Sequence, residues 1–262
     1  DLGGLLAAAL RRAQIVPQDS DIIIVAQKVV SKAEGQLVNL KEIVPSAKAI
    51  ALAEEVNKDA RLVEVILSES VEVVRHRRGV LIVAHRLGFV MANAGVDQSN
   101  IGYEDGEHVL LLPRNPDASA AALKAQLDRE FGVDLGIIIN DSFGRAWRNG
   151  VVGVALGAAG VPALRDMTGK ADLFGRTMRV TEVAVADEIA AAASLLMGQA
   201  AEGQPAVHLR GIFYDAPVAP ASAVAMAATV QASVAPSTRT GSAAASASSA
   251  LPAAISASAR AS

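Results

Sequence analysis

Three isoleucines in succession, Ile137-Ile138-Ile139, pass directly into Asn140-Asp141-Ser142, and this stretch constrains the fold more than any other. β-Branched side chains suit a pleated surface, and a run without polar alternation suits a strand covered on both faces. Such strands belong to open sheets with flanking helices, where ligands collect beyond the C-terminal strand ends. The stretch therefore predicts hard oxygen donors at the end of a buried strand. Gly144, Arg145, the chain's only tryptophan (Trp147), Arg148 and Gly150 follow at once. Donors for a phosphate or carboxylate thus stand close to ligands for a cation. An ordinary strand exit would also carry Asn, Asp and Gly, because those residues make turns.

A second segment repeats the arrangement. Short strands are predicted over residues 71–75, 80–84 and 88–91, and the last leads into Ala94-Gly95-Val96-Asp97-Gln98-Ser99-Asn100. Earlier, an apolar strand over 22–26 runs into a segment with Lys28 and Lys32 four positions apart, ahead of Gly35. Two ammonium groups after a buried strand suit phosphate oxygens as point charges, and they suit an exposed surface turn equally. Helices are predicted over 5–13, 46–58, 60–67, 118–131 and 186–197, with further strands over 109–112, 178–183 and 207–210. Residues 151–160, rich in glycine and alanine, predict a close backbone approach but lack the GxGxxG fingerprint. Gly169-Lys170 lacks the first glycine and the Ser/Thr of a P-loop. The fold class expected is mixed α/β, with helices flanking several short strands in one intertwined unit.

Composition narrows the chemistry. The chain has 262 residues, a net charge of -3 and no cysteine, which excludes disulfides, thiolate nucleophiles and zinc-thiolate sites. A reducing cytoplasm fits that usage. The four histidines, His76, His85, His108 and His208, show no metal-binding spacing. The short Arg75-His76-Arg77-Arg78 run reads as a solvated strand edge, so nothing points to nucleic acid. The longest uncharged apolar run, residues 150–164, is shorter than the roughly 20 residues of a membrane span. Residues 216–262 are mostly Ala, Ser, Val and Pro and predict a disordered low-complexity tail behind a domain of residues 1–215.

Two aspartates that each leave an apolar strand beside hydroxyl and amide side chains make a hard-oxygen site, for which Mg²⁺ or Mn²⁺ is the natural occupant. Added lysines and arginines complete a parts list for phosphoryl chemistry, shared by ligases, kinases and phosphohydrolases.

Four motifs in order carry a resemblance. They are Val29-Val30-Ser31-Lys32-Ala33-Glu34-Gly35, Ala94 to Asn100, Asp141-Ser142-Phe143-Gly144-Arg145-Ala146-Trp147-Arg148-Asn149-Gly150, and Val180-Thr181-Glu182-Val183-Ala184-Val185-Ala186-Asp187-Glu188. Together, over about residues 19–211, they resemble the coenzyme F420-0:L-glutamate ligase family. The resemblance implies that family's fold and a GTP- and metal-dependent ligase. Such an enzyme adds L-glutamate to the deazaflavin precursor F420-0 through an acyl phosphate, and later glutamates by γ-linkage. It implies that Asp97 and Asp141 hold one divalent cation and Ser142 and Gln199 a second. It also implies that Lys28, Lys32 and Asn100 contact GTP, and that Met197-Gly198-Gln199-Ala200-Ala201-Glu202-Gly203-Gln204 closes over the nucleotide. A homodimer with sites near the subunit boundary is implied as well, and the cysteine-free composition adds the expectation of a cytoplasmic location.

Arg145, Arg148 and Arg176 are candidates for anionic substrate groups, with surface ion pairing as the alternative. Three departures accompany the match. The family's N-terminal strand and Gly-Leu/Ile-Pro-Glu segment has no counterpart here, which predicts a fragment or weakened nucleotide affinity. Gln27 stands where a serine is common. The tail occupies the place of a flavin domain found in some relatives, so no second catalytic domain is expected. Two rival readings remain: a non-catalytic deazaflavin or nucleotide binder, and a metal-dependent phosphohydrolase.

Overall fold

The computed structural model describes residues 1–102, 106–212 and 214–224. The chain begins with α1 (Leu2–Arg12), β1 (Ile22–Ala26), α2 (Gln27–Ala33) and β2 (Leu37–Asn39). Next come α3 (Ala47–Val56), α4 (Ala60–Ser68), β3 (Ser70–Arg77), β4 (Val80–His85), β5 (Val90–Ala92) and β6 (His108–Leu110). The second half holds α5 (Pro116–Phe131), β7 (Gly136–Gly144), β8 (Val151–Ala159), β9 (Arg165–Asp166), β10 (Glu182–Val183), α6 (Val185–Met197) and β11 (Ala206–Leu209). The fold is mixed α/β, as expected.

The central sheet has the order β11-β1-β7-β8. β1 and β7 run parallel with Ile22 opposite Gly136 and Ala26 opposite Asn140, while β11 and β8 join antiparallel. Alternation along β1 and β7 divides the isoleucines between two layers. Ile22, Ile24 and Ile138 pack with Ala186, Ile189, Ala190 and Ala193 of α6. Ile23, Val25, Ile137 and Ile139 pack with Leu6 and Leu10 of α1 and Leu123 and Leu127 of α5. The unbroken apolar run thus reflects a strand buried on both sides.

A second layer system packs α3 and α4 through Leu52, Val56, Val63 and Ile66 onto Leu81 and Val83 of β4. The sheet there is ordered β3-β4-β5, and β3 forms its exposed edge. Phe89, Met91, Leu112 and Leu156 cluster against Phe143 and join the two systems.

Four expectations are corrected or narrowed. The strand does not end at Ile139: β7 continues through Asp141 and Ser142 to Gly144 because β8 pairs along it, with a register shift after Ile139 that leaves Leu156 without a partner on β7. Residues 151–159, whose glycines and alanines predict a close approach rather than a strand, form β8, where polar alternation is absent because α5 and α6 both cover it. The close approach is nonetheless real, since a Cβ on Gly153 would lie 2.4 Å from Ala190 O and one on Gly157 2.3 Å from Pro116 O. Residues 27–33, for which a surface turn is one of two readings, form a helix. Of the strand expected at 178–183, only Glu182–Val183 pairs, and Val180 is exposed because no neighbouring layer receives it.

The described chain continues in contact with the domain beyond residue 215. Ala219 N–H donates to Val161 O at 3.2 Å, and Ala221 is fully buried in the α6-side core. Ala221 and Ser222 N–H both donate to the Asp117 carboxylate, at 2.9 and 3.2 Å. The anchoring comes from backbone donors meeting a helix-terminal aspartate, which the Ala/Ser-rich composition does not reveal. Residues 225–262 of the expected tail lie outside the described residues. Among the described residues, no helix is long and apolar enough to cross a membrane.

Candidate active site

β1 ends at Ala26, opposite Asn140, while its parallel neighbour β7 runs on through Asp141 and Ser142, and one cleft of about 500 Å³ forms where the two part. From β1 the chain turns straight into α2. The Gln27 side chain is buried and donates to Ser31 Oγ at 2.9 Å and Leu111 O at 3.2 Å, which fixes the first turn of that helix. Lys28 and Lys32, one turn apart, therefore share a face toward the cleft.

Asp97 arrives from the second layer system through a left-handed turn. Asn93, Ala94 and Gly95 all have positive φ, at 53°, 54° and 68°. For Ala94 this conformation costs about 1–2 kcal/mol, and a Cβ on Gly95 would stand 2.8 Å from Leu112. Asp97 then exchanges both backbone hydrogen bonds with Leu110, at 3.1 and 2.9 Å. Its carboxylate accepts from Ser99 N–H at 2.7 Å and pairs with Lys28 Nζ at 2.8 Å. Lys28 also donates to Ser99 Oγ at 2.7 Å, and Lys32 to Asn100 O at 2.8 Å.

The segment after α6 forms the opposite wall. Ser142 Oγ donates to Gln199 Oε1 at 2.7 Å, Asn100 Nδ2 donates to Ala200 O at 3.1 Å, and Ala200 N–H donates to Glu202 at 2.8 Å. Ala26 N–H donates to Pro205 O at 2.8 Å and returns the segment to β1. Strand alternation explains the division of labour on β7. Ile138, Asn140 and Ser142 face α6, whereas Ile137, Ile139 and Asp141 face the side of α2 and Asp97.

The two carboxyls are displaced in opposite directions. Burial pushes Asp97 up, but Lys28 and the Ser99 N–H outweigh it and hold the group below its ordinary value. Burial pushes Asp141 up to about 6, and the negative charge of Asp97 adds to that against the Ser142 N–H and Lys28. Asp141 accepts a single described hydrogen bond, from Ser142 N–H at 2.8 Å. It thus has oxygen lone pairs to spare, beside a second carboxylate that raises the cost of its ionisation. A divalent cation would relieve that repulsion, and the carboxylates, the Ser142 hydroxyl and the Gln199 amide oxygen are the hard donors it requires. Among the described residues, no group of three or more His, Cys, Asp or Glu side chains gathers to hold such an ion, in this cleft or outside it, so an ion here would depend on two carboxylates together with hydroxyl and amide oxygens.

The structure therefore brings together Lys28, Lys32, Asp97, Asn100, Asp141, Ser142 and residues 197–204. It does not bring Arg145, Arg148 or Arg176 to the cleft. All three are exposed, and the Arg176 backbone closes a turn on Asp172. Asn140, grouped in the sequence with the oxygen donors, turns instead to α6. Ser99 and Gln27 had no assigned role. Only the tertiary pairing reveals that they hold Lys28 and its helix in place.

The profile described as F420-0:Gamma-glutamyl ligase matches residues 1–211. The chain belongs to the F420-0:gamma-glutamyl ligase family. Curated members named coenzyme F420:L-glutamate ligase agree with the match. The protein of Methanothermobacter thermautotrophicus is 48% identical over 211 residues, which are 80% of this chain and 82% of the relative. That of Methanopyrus kandleri is 51% identical over 197 residues, or 74% and 76%. That of Archaeoglobus fulgidus is 42% identical over 212 residues, or 81% and 82%. As a member of this ligase family the chain is an enzyme, and the cleft just described is its candidate active site.

Proposed function

We propose that this chain joins L-glutamate to the deazaflavin precursor F420-0 at the expense of GTP, with two divalent cations, Mg²⁺ or Mn²⁺, and extends the product with further γ-linked glutamates. The observation that carries the reading is the convergence on one cleft of two lysines, two carboxylates and the 197–204 segment from four distant parts of the chain. Family membership selects ligation from the reactions such a cleft could perform.

The chain's own groups suit each step. Lys28 and Lys32 offer point charges to phosphate oxygens, and Asn100 ties that side of the cleft to residue 200. Asp97 with Asp141, and Ser142 with Gln199, would hold the cations, which when bound supply charge to offset the triphosphate. The acceptor carboxylate attacks the γ-phosphorus to give an acyl phosphate and GDP. The glutamate amine then displaces phosphate, forming the amide and losing a proton. Residues 197–204 form a wall that can limit water access to the acyl phosphate.

The reading includes a cytoplasmic homodimer. Its support is a set of large apolar side chains left uncovered, namely Trp147, Leu173, Phe174 and Val180, each 88% exposed or more. Arg145, Arg148 and Arg176 lie in the same two segments, where a second copy could bring them to substrate. The decisive experiment supplies GTP, Mn²⁺ or Mg²⁺, L-glutamate and F420-0 and weighs the product. One added glutamyl mass with GDP formed in step is expected. Phosphate release from GTP without either co-substrate would instead favour a phosphohydrolase, and binding without turnover a non-catalytic binder.

A further inference from the structure

Asn140 is the one buried polar side chain on β7. Its amide donates to Ser194 Oγ at 2.9 Å and to Met197 Sδ at 3.4 Å, both on the last turn of α6. Its carbonyl oxygen is buried with no partner. A half-satisfied buried amide costs the fold stability relative to an apolar residue of the same size. Ile138, two positions earlier on the same strand face, shows that this layer accepts apolar side chains. Stability therefore does not account for Asn140.

What Asn140 touches does. The last turn of α6 is the root of the 198–204 segment, and Gly198 N–H closes that turn on Ser194 O. Ser142, the next residue on the same face of β7, holds Gln199 through its hydroxyl. Two consecutive rungs of one strand face thus fasten the segment at its root and at its second residue. Between them Asp141 points to the opposite side, toward Lys28 and Asp97.

We propose that Asn140 is a positioning residue of the ligase site: by tying Ser194 and Met197 to β7 it sets the 198–204 segment, and with it Gln199, in register with Asp141 and Ser142. The proposal rests on the reading of Gln199 and residues 197–204 as the cation- and nucleotide-holding wall. Outer residues that orient such ligands typically change metal affinity or activity by about 10- to 100-fold when removed.

The test compares Asn140→Leu and Ser194→Ala with the unaltered chain in three measurements: melting temperature, amide hydrogen exchange, and KM and kcat with GTP as the varied substrate. Asn140→Leu is expected to melt at the same temperature or higher, to exchange faster in residues 198–204 but not in 185–193, and to raise the KM for GTP about 10-fold. Ser194→Ala should move both readouts the same way by less, because the Met197 contact remains. Unchanged exchange and KM in Asn140→Leu would overturn the proposal, as would a fall in melting temperature with KM intact, which marks a packing residue. Should Asn140→Leu fail to fold, Ser194→Ala removes one bond only and decides by the same readouts. Absence of glutamyl product from the unaltered chain would sink the functional reading, while exchange in residues 198–204 would still judge the tie.

Discussion

Asp21 and Asp141 sit at opposite ends of the β1–β7 pair, and they differ in how fully their oxygens are occupied. Asp21, just before β1, is 2% exposed. It accepts from Arg210 Nε at 2.8 Å and Nη2 at 2.6 Å, from Gln18 N–H at 2.9 Å, and bonds His208 Nε2 at 2.8 Å. The guanidinium of Arg210 leads, burial opposes, and His208 with the Gln18 N–H completes a strong net lowering of its carboxyl pKa. Asp141 accepts one described bond, and burial drives it up to about 6. Both are acids beside buried strands. The saturated one closes the structure, because Arg210 also donates to Val16 O at 2.8 Å and so pins the chain before β1 to β11. The unsaturated one keeps acceptor capacity for something the protein must bind.

Neutralising each acid in turn breaks the comparison most directly. Asp141→Asn should lower ligase turnover by at least about 100-fold, the scale of losing a group that stabilises developing charge. The metal-free variant should melt no lower than the unaltered chain, since repulsion from Asp97 is relieved. A variant that keeps near-normal activity, or that unfolds, would place Asp141 with the structural acids. Asp21→Asn should do the reverse. Loss of a buried acid's charged partners costs roughly 2–4 kcal/mol, read as a lowered denaturation midpoint, while kcat of the folded fraction stays close to normal.

Acid titration sharpens the contrast because the two groups have opposite signs. A carboxyl lowered in the folded state stabilises above its unfolded value and loses that contribution as pH falls through its folded value. Asp21 should therefore cost stability only below about pH 4, with the ordinary carboxylate value as the upper limit. A carboxyl raised to about 6 binds its proton more tightly when folded, so in metal-free protein Asp141 should add stability as pH falls from about 6 toward 4. Denaturation midpoints across that range, compared with Asp141→Asn, isolate this contribution. An identical pH profile in the two proteins would show that Asp141 is not held high, and Mg²⁺ should flatten the difference if the ion occupies the site.

How far the sequence displayed this contrast depends on the kind of residue. Ile137-Ile138-Ile139 pointed to a doubly covered strand because adjacent β-branched side chains favour a pleated surface and leave no polar alternation for a solvent-facing side. Asp97 and Asp141 stood out by following apolar runs among hydroxyl and amide neighbours. Asp21 did not stand out. It lay in a turn-like Pro17-Gln18-Asp19-Ser20-Asp21 run, and Arg210, its principal partner, is far along the chain. Asn140 was visible, but strand alternation decides whether it joins Asp141 or turns away. β8 was hidden for a related reason: helices on both sides require glycine and alanine where a half-exposed strand would alternate. Local pattern identified residues with spare capacity, whereas saturation arises from partners that only the fold supplies.

Asp117 offers the smallest test of that distinction. It opens α5, and its Oδ1 accepts from Ala158 N–H at 2.9 Å on the outer edge of β8, while Asp187 of α6 accepts from Ala155 N–H at 2.9 Å. The two aspartates thus occupy edge donors that would otherwise remain unpaired. Ala221 and Ser222 N–H complete the Asp117 set, at 2.9 and 3.2 Å. A chain ending after Asp215 should leave Asp117 with one of its three described donors, whereas a chain ending after Val224 keeps all three. The shorter chain should be less stable by about 1–2 kcal/mol, from charge-assisted hydrogen bonds and the burial of Ala221, or a few degrees in melting temperature. Ligase activity per folded molecule should be equal in the two, because Asp117 lines no part of the cleft. Equal melting temperatures would mean that residues 216–224 contribute nothing to the fold, and that occupied lone pairs do not by themselves mark a structural acid.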